Sequence, residues 1–297
     1  MSARLEDLHA SFNRELRAEG RSPATLRLYG QSIQFFSRWL TDRGRPATLD
    51  ELTRSAIREW LAELADTREP NTVRTRYRGL RRFCRWLIDE EELARDPMDK
   101  LKPPDPGAKP VPVLSDADLG ALVKACRGKG FNERRDEAML RILLDTGLRV
   151  SELCQLTVTG FDLDAGAVTV LGKGRKIRDV YFGSRTELSV DKYLRIRKSH
   201  RWAHLDALLL TQRGALSPDG ARERLRVLAI RAGLPHIHPH QFRHTFAHDF
   251  LINGGQERDL KRLAGWSSDV MLERYGASAA DVRARAAAKR LSRGDRV

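Results

Sequence analysis

Cysteine is scarce in this chain of 297 residues, with three thiols at positions 84, 126 and 154. An odd number at wide spacing excludes a disulfide framework and a cysteine-built metal cluster. The three read as reduced, buried small hydrophobes. No apolar run approaches the roughly 18 consecutive residues that a membrane-spanning helix needs, and the mean hydropathy of −0.50 agrees. The amino terminus, Met1 to Asp7, carries acids early and lacks the apolar core of a secretory signal, so a cytoplasmic protein is expected. Acids are in deficit: 40 Asp and Glu stand against 54 Lys and Arg, a formal charge of +14. Such a balance favours a polyanionic partner, and without a membrane anchor nucleic acid is the better candidate. Internal repeats are absent, and the Ala/Arg-rich tail from Ala277 to Arg290 is the one biased tract.

The length suggests two domains, each able to bury its own core. A boundary stands out between Lys102 and Val113, where five of the twelve prolines fall and neither helix nor sheet interior can continue. The expected layout is a helical domain over 1–102, an extended linker over 103–113 and a second domain over 114–297. Through Lys102 there are 20 basic and 17 acidic residues, leaving 34 and 23 beyond it, so the two parts carry +3 and +11.

In the first part, Ser22 and Pro23 form an N-cap followed by proline at the first helical position, and Leu26, Tyr29, Ile33, Phe36 and Leu40 recur at helical spacing. A second strong helix follows Pro70 and Asn71, with Val73, Tyr77, Leu80, Cys84 and Leu87 as its apolar stripe. Its polar side holds six arginines and no acid from Arg74 to Arg85. At roughly 100° per residue, Arg74, Arg78, Arg81 and Arg85 lie within about 60° of one another. Shorter helical patterns near 3–18 and 53–65 complete an all-helical bundle. In the second part, Ser115 to Asp118 resembles a capping box. Helices follow near 132–145 and 149–157, and Ala167 to Leu171 with Ile177 to Phe182 predict the one clear hairpin, closed by Gly172-Lys173-Gly174. The remainder reads as helix, so the fold class is mainly α, with an α+β second domain.

Cleaving a phosphodiester without a metal needs cations for the two non-bridging oxygens, and the planar fork of arginine suits them. Arg149, in Thr146-Gly147-Leu148-Arg149-Val150-Ser151-Glu152-Leu153, follows an apolar run and therefore emerges from the core. Glu152 stands one turn on, placed to orient a neighbouring base. Arg243, in His240-Gln241-Phe242-Arg243-His244-Thr245, shares a helix face with His240, three residues back. Lys173, between glycines at a hairpin tip, either donates a proton to a departing oxygen or is a solvated turn lysine. The segment lacks the Gly-x-x-x-x-Gly-Lys-Ser/Thr spacing of a phosphate loop. Crowding of His236, His238, His240, His244 and His248 suggests a metal site, but no cysteine or His-Glu-x-x-His pattern accompanies it. No metal and no cofactor are expected. Tyr275 is one of five tyrosines, distinguished by a short element predicted between Gly265-Trp266-Ser267-Ser268 and Gly276. Trp266 is either core filling or an indole N–H donor.

Taken in order, Arg149, Lys173, His240-x-x-Arg243, Trp266 and Tyr275 resemble the signature of the tyrosine recombinases, the family of phage integrases and Xer-type resolvases. The runs Thr-Gly-Leu-Arg-Val-Ser-Glu-Leu, Gly-Lys-Gly-x-Lys-x-Arg and His-x-x-Arg-His-Thr-Phe-Ala carry the likeness, and Thr72 to Leu87 resembles the family's core-site DNA-binding domain. One departure is Trp266, where most members have histidine.

The resemblance implies an enzyme that cleaves and rejoins DNA through a 3′-phosphotyrosyl intermediate. Tyr275 would be the nucleophile, Lys173 the general acid for the 5′-oxygen, Arg149 and Arg243 the holders of the non-bridging oxygens, and His240 and Trp266 the rest of the pocket. Arg74, Arg78, Arg81, Arg85, Arg175 and Lys176 would contact DNA, with the two domains closing as a clamp on core sites. It further implies four protomers in the synaptic complex, a monomer without DNA, an accessory or directionality factor, and a cytoplasmic, nucleoid-associated place. The tail from Ala279 to Leu291 would dock on a neighbouring protomer or on its own domain. With no room before the first helix for an arm-binding domain, the layout resembles Xer proteins and arm-less integrases. A catalytically silent regulator and a type IB topoisomerase are the alternatives.

Overall fold

The computed structural model describes residues 2–103, 105, 107, 112–172 and 176–296, with the backbone alone at 270, 273–275, 277, 278, 281 and 296. Lys173 and Arg175 thus lie outside the described residues, as does the side chain of Tyr275. The chain divides into two compact units, Met1–Lys109 and Pro110–Val297. It is mainly helical with small antiparallel sheets.

The first unit holds α1 (Leu5–Ala18), α2 (Pro23–Thr41), α3 (Arg54–Thr67) and α4 (Pro70–Asp89). Ser22 caps α2 by accepting from the Thr25 amide, and proline opens both α2 and α4. These are positions where a missing N–H costs nothing, because the first-turn donors have no intrahelical partner. The apolar stripes meet in a core that includes Phe12, Phe36, Trp60, Tyr77, Phe83 and Leu87. Burying each such side chain contributes about 1.5–3 kcal/mol. α2 and α4 approach closely at Gly79, where a Cβ would come within 2.3 Å of Ser32 Oγ.

The second unit begins with α5 (Asp116–Ala125), whose Ser115 and Asp118 form a reciprocal capping box. Then come α6 (Phe131–Thr146), α7 (Val150–Cys154) and a three-stranded antiparallel sheet of β1 (Phe161–Asp162), β2 (Ala167–Leu171) and β3 (Ile177–Tyr181). The hairpin register closes on Leu171 opposite Ile177, and Val168, Val170 and Val180 face inward. α8 (Ser184–Arg197), a short pair β4 (Leu210–Thr211) and β5 (Gly214–Ala215), α9 (Pro218–Arg231), α10 (Pro239–Ile252), α11 (Glu257–Ala264) and α12 (Asp269–Arg290) follow. Strands β1, β4 and β5, two residues each, are too short to leave a periodic trace in sequence.

Two buried arginines tie the second unit together. Arg135 and Arg224 both pair with the buried Asp136, and Arg135 also donates to the Leu210 carbonyl at 3.1 Å. Arg197 donates to the carbonyls of Ala203, Leu205, Ala207 and Leu208, which satisfies a loop that would otherwise leave acceptors buried and unmade.

One expectation is overturned. Tyr275 and Gly276 do not sit on a short element between joints, because α12 runs unbroken from Asp269 to Arg290. A single helical glycine costs only about 1 kcal/mol against alanine, and the alanine-rich stretch after it offsets that loss. The tail is therefore the second half of the helix that carries Tyr275.

Candidate active site

Arg149 stands where two helices meet. α6 ends at Gly147, whose φ of +57° is left-handed, and a Cβ there would lie 2.4 Å from Phe246 Cδ1 on α10. Glycine alone meets both demands. The chain then turns through Leu148, which is fully buried, and Arg149 becomes the N-cap of α7. Its side chain stays 35% exposed while Glu152 beneath it is 5% exposed. Glu152 accepts from the Arg149 amide and from Arg149 Nη1, both at 3.0 Å.

Arg243 comes from α10, whose start is fixed by Pro239 and by the Gln241 side chain accepting from the His238 amide at 2.8 Å. The guanidinium is buried, at 1% exposure. Its Nη1 donates to the Gly147 carbonyl at 2.8 Å and its Nη2 to the Ala264 carbonyl at 2.6 Å. It also lies over the Trp266 ring, 5.2 Å from the centroid. One side chain thus joins the turn before Arg149 to the turn before Trp266.

That second turn is set by its own backbone. At the end of α11 the Gly265 amide bonds to the Arg262 carbonyl and the Trp266 amide to the Lys261 carbonyl, with Gly265 at φ +63°. This is the Schellman arrangement, which ends a helix and turns the next side chain back across it. Trp266 is buried, packed with Ala247, Leu251, Leu260, Ala264 and Ala279. Since Ala279 belongs to α12, this cluster anchors the helix of Tyr275 against α10 and α11.

His240 is exposed on the first turn of α10, while His244, one turn on, is buried. Among the described residues no three His, Cys, Asp or Glu side chains gather as a metal-ligand group. Lys176 is exposed, and its carbonyl accepts from the Gly172 amide at 2.8 Å across the base of the hairpin.

Arg178 on β3 closes the Gly-Lys-Gly-x-Lys-x-Arg run, but the sequence assigned it no role. Its Nη1 and Nη2 donate to Oε1 and Oε2 of Glu152 at 3.2 and 3.1 Å, and its Nε donates to the Leu263 carbonyl at 2.9 Å. The available signal was its place on the inward side of a half-buried strand, in phase with Val180. A cation on that face requires a partner. Burial would push the Glu152 carboxyl up, but the Arg178 hydrogen bonds, the Arg149 amide and the charges of both arginines outweigh it and hold it below the usual carboxylate range.

On the first unit the arginines of α4 differ in what they touch. Arg81 donates to Tyr77 Oη at 2.6 Å, and that hydroxyl donates to the Leu101 carbonyl at 2.6 Å. Arg82 pairs with Glu19, and Arg76 bonds Gln31 and covers the Phe35 ring. Arg74 is partly buried, whereas Arg78 and Arg85 are exposed.

The sequence profile of the Phage integrase family matches residues 112–281, and that of the phage integrase N-terminal SAM-like domain matches residues 10–91. A tyrosine recombinase XerD of Oceanobacillus iheyensis is 32% identical over 271 residues, covering 88% of this chain and 90% of its own. A tyrosine recombinase XerC of Xanthomonas campestris is 29% identical over 269 residues, covering 90% of this chain and 81% of its own. Among solved structures, the Tn1549 transposon integrase in complex with transposon right end DNA superposes with a TM-score of 0.76 at 21% identity, covering 98% of this chain and 100% of that one. The XerH site-specific recombinase in its post-cleavage complex with a palindromic difH substrate gives a TM-score of 0.76 at 19% identity, covering 91% and 81%.

Proposed function

The chain belongs to the phage integrase family and is a site-specific tyrosine recombinase, and from that premise we propose how its own residues perform the reaction. Tyr275 Oη attacks the scissile phosphorus, forming the 3′-phosphotyrosyl bond as the bond from phosphorus to the 5′-oxygen breaks. The departing electron pair stays on that oxygen, which Lys173 protonates. Arg149 and Arg243 hold the two non-bridging oxygens, whose charge must be stabilised in the transition state. His240 assists the phosphate or the tyrosine proton. Trp266 closes the pocket as an indole donor, without the capacity to carry a proton.

The observation that carries this reading is the double hydrogen bond of Arg243, which draws the turn of Arg149 and the turn of Trp266 to one place. Rejoining is the reverse attack by a 5′-hydroxyl on the phosphotyrosyl bond. That bond conserves the energy of the one broken, so the step consumes no nucleotide. The substrate is duplex DNA at core sites, contacted on its phosphates by the exposed Arg78 and Arg85 and by Lys176. Exchange between two sites takes four protomers, two of them active at a time, in the cytoplasm on the nucleoid. An accessory or directionality factor would choose the outcome.

The test is covalent trapping on a nicked duplex bearing the sequence that the chain selects from a random pool. Wild type should yield a protein–DNA adduct and Tyr275→Phe none. An undiminished adduct in Tyr275→Phe would remove the nucleophile assignment. Selective binding without any adduct would indicate a silent regulator, and relaxation of supercoiled DNA lacking the site would indicate topoisomerase-like behaviour.

A further inference from the structure

The Glu152 carboxylate receives four donors, two from Arg149 and two from Arg178. At 5% exposure it has little access to water, so its charge is balanced by these two side chains. Arginine and carboxylate prefer to pair fork to fork. Here Arg178 takes that geometry and Arg149 is left with one side-chain bond, through Nη1 to Oε1. Among the described residues, no protein acceptor bonds the other guanidinium nitrogens of Arg149.

The surroundings of Arg178 are equally specific. A Cβ on Gly172 would come within 3.1 Å of its Nη1, and a Cβ on Gly265 within 3.1 Å of its Cζ, Nε and Nη1. The guanidinium therefore fills a slot between two glycines. Gly172 immediately precedes Lys173, and Gly265 immediately precedes Trp266. Its third donor, Nε, reaches the Leu263 carbonyl, one of the last-turn acceptors of α11 that the helix itself leaves unused.

Resting on the function proposed above, we infer that Arg178 is a positioning residue for Arg149: by occupying Glu152 bidentately it keeps the Arg149 fork turned outward to a non-bridging phosphate oxygen. It does so while packing against Gly172, the residue before Lys173, and against the turn of Trp266. Without it, Glu152 draws Arg149 into a bidentate pair and away from the phosphate. Lysine cannot substitute fully, because an ammonium offers a point charge and no planar fork.

The experiment compares single-turnover cleavage of two nicked duplexes of the selected sequence. One carries an ordinary scissile diester, the other a methylphosphonate, in which a methyl group replaces one non-bridging oxygen and removes its negative charge. Arg178→Met should slow cleavage of the diester by about 10²-fold, the cost of misplacing a reacting group by roughly 1 Å. On the methylphosphonate, where less charge has to be held, the deficit should shrink to about tenfold or less. Arg178→Lys should fall between wild type and Arg178→Met on the diester, and it carries the same comparison if the methionine variant does not fold. An equal deficit on both linkages, or none on either, overturns the inference. Absence of an adduct with wild type would instead refute the functional reading itself.

Discussion

Arg243 donates from Nη1 to the backbone carbonyl of Gly147 at 2.8 Å, across 96 positions of sequence. The bond links the fourth residue of the α10 motif to the residue two before Arg149. Because the guanidinium is buried, the orientation of Arg149 depends on an arginine that also reaches the end of α11. The two basic groups proposed for the phosphate are thus not independent supports, and the turn between them is the sensitive point.

Replacing Gly147 tests that turn. Gly147→Ala places a Cβ 2.4 Å from the Phe246 ring at a left-handed φ of +57°. Backbone strain of this kind costs of order 1–3 kcal/mol. Denaturant unfolding should show that loss, and adduct formation should fall more than the stability change explains. Phe246→Ala in the same chain should restore only the steric part, leaving the φ penalty.

Acid should act on Glu152. Its folded carboxyl titrates below the unfolded one, so its stabilisation is fully present above about pH 4.3 and disappears as pH falls through the folded value. Wild type should therefore lose stability below about pH 4.3 more steeply than Glu152→Gln, which cannot titrate there. Equal acid limbs in the two unfolding curves would contradict the bidentate pairing.

The arginines of α4 should separate into two classes. Arg78→Ala and Arg85→Ala remove exposed charges and should each lower the slope of log K against log salt by about one, weakening binding alike on selected and random DNA. Arg81→Ala breaks the hydrogen bond to Tyr77 Oη instead and should cost about 0.5–1.5 kcal/mol of stability. Filter binding across a salt series and urea melts distinguish them.

For Lys173, the leaving group decides. Lys173→Ala should cleave ordinary DNA about 10²–10⁴-fold more slowly, the range of general acid catalysis. A substrate with sulfur in place of the bridging 5′-oxygen needs little protonation and should restore cleavage to near the wild-type rate. A matching deficit on both substrates would take the proton donor elsewhere.

Much of this protein was legible without coordinates. Helix α2 could be read because Ser22, Pro23 and the apolar stripe agree, and α4 because one face is aromatic and the other basic. The hairpin of β2 and β3 showed in its alternation, while β1, β4 and β5 did not, since two residues hold no period. Gly276 suggested a joint after Tyr275, but a lone glycine cannot break a helix otherwise rich in alanine.

The sequence by itself determined which chemical groups are present, their order and helices such as α2 and α4, because caps, stripes and spacing are local properties of the chain. It could not tell that Arg243 is buried and bonds two distant carbonyls, or that Arg81 serves Tyr77 more than the surface. Nor could it give the partners of Arg178, the last residue of the Gly-Lys-Gly-x-Lys-x-Arg run, which are Glu152, 26 positions away, and Leu263, 85 positions away. Only tertiary structure decided these roles. A guanidinium is assigned by the acceptors within about 3 Å of it, and those acceptors come from backbone that folding brings together.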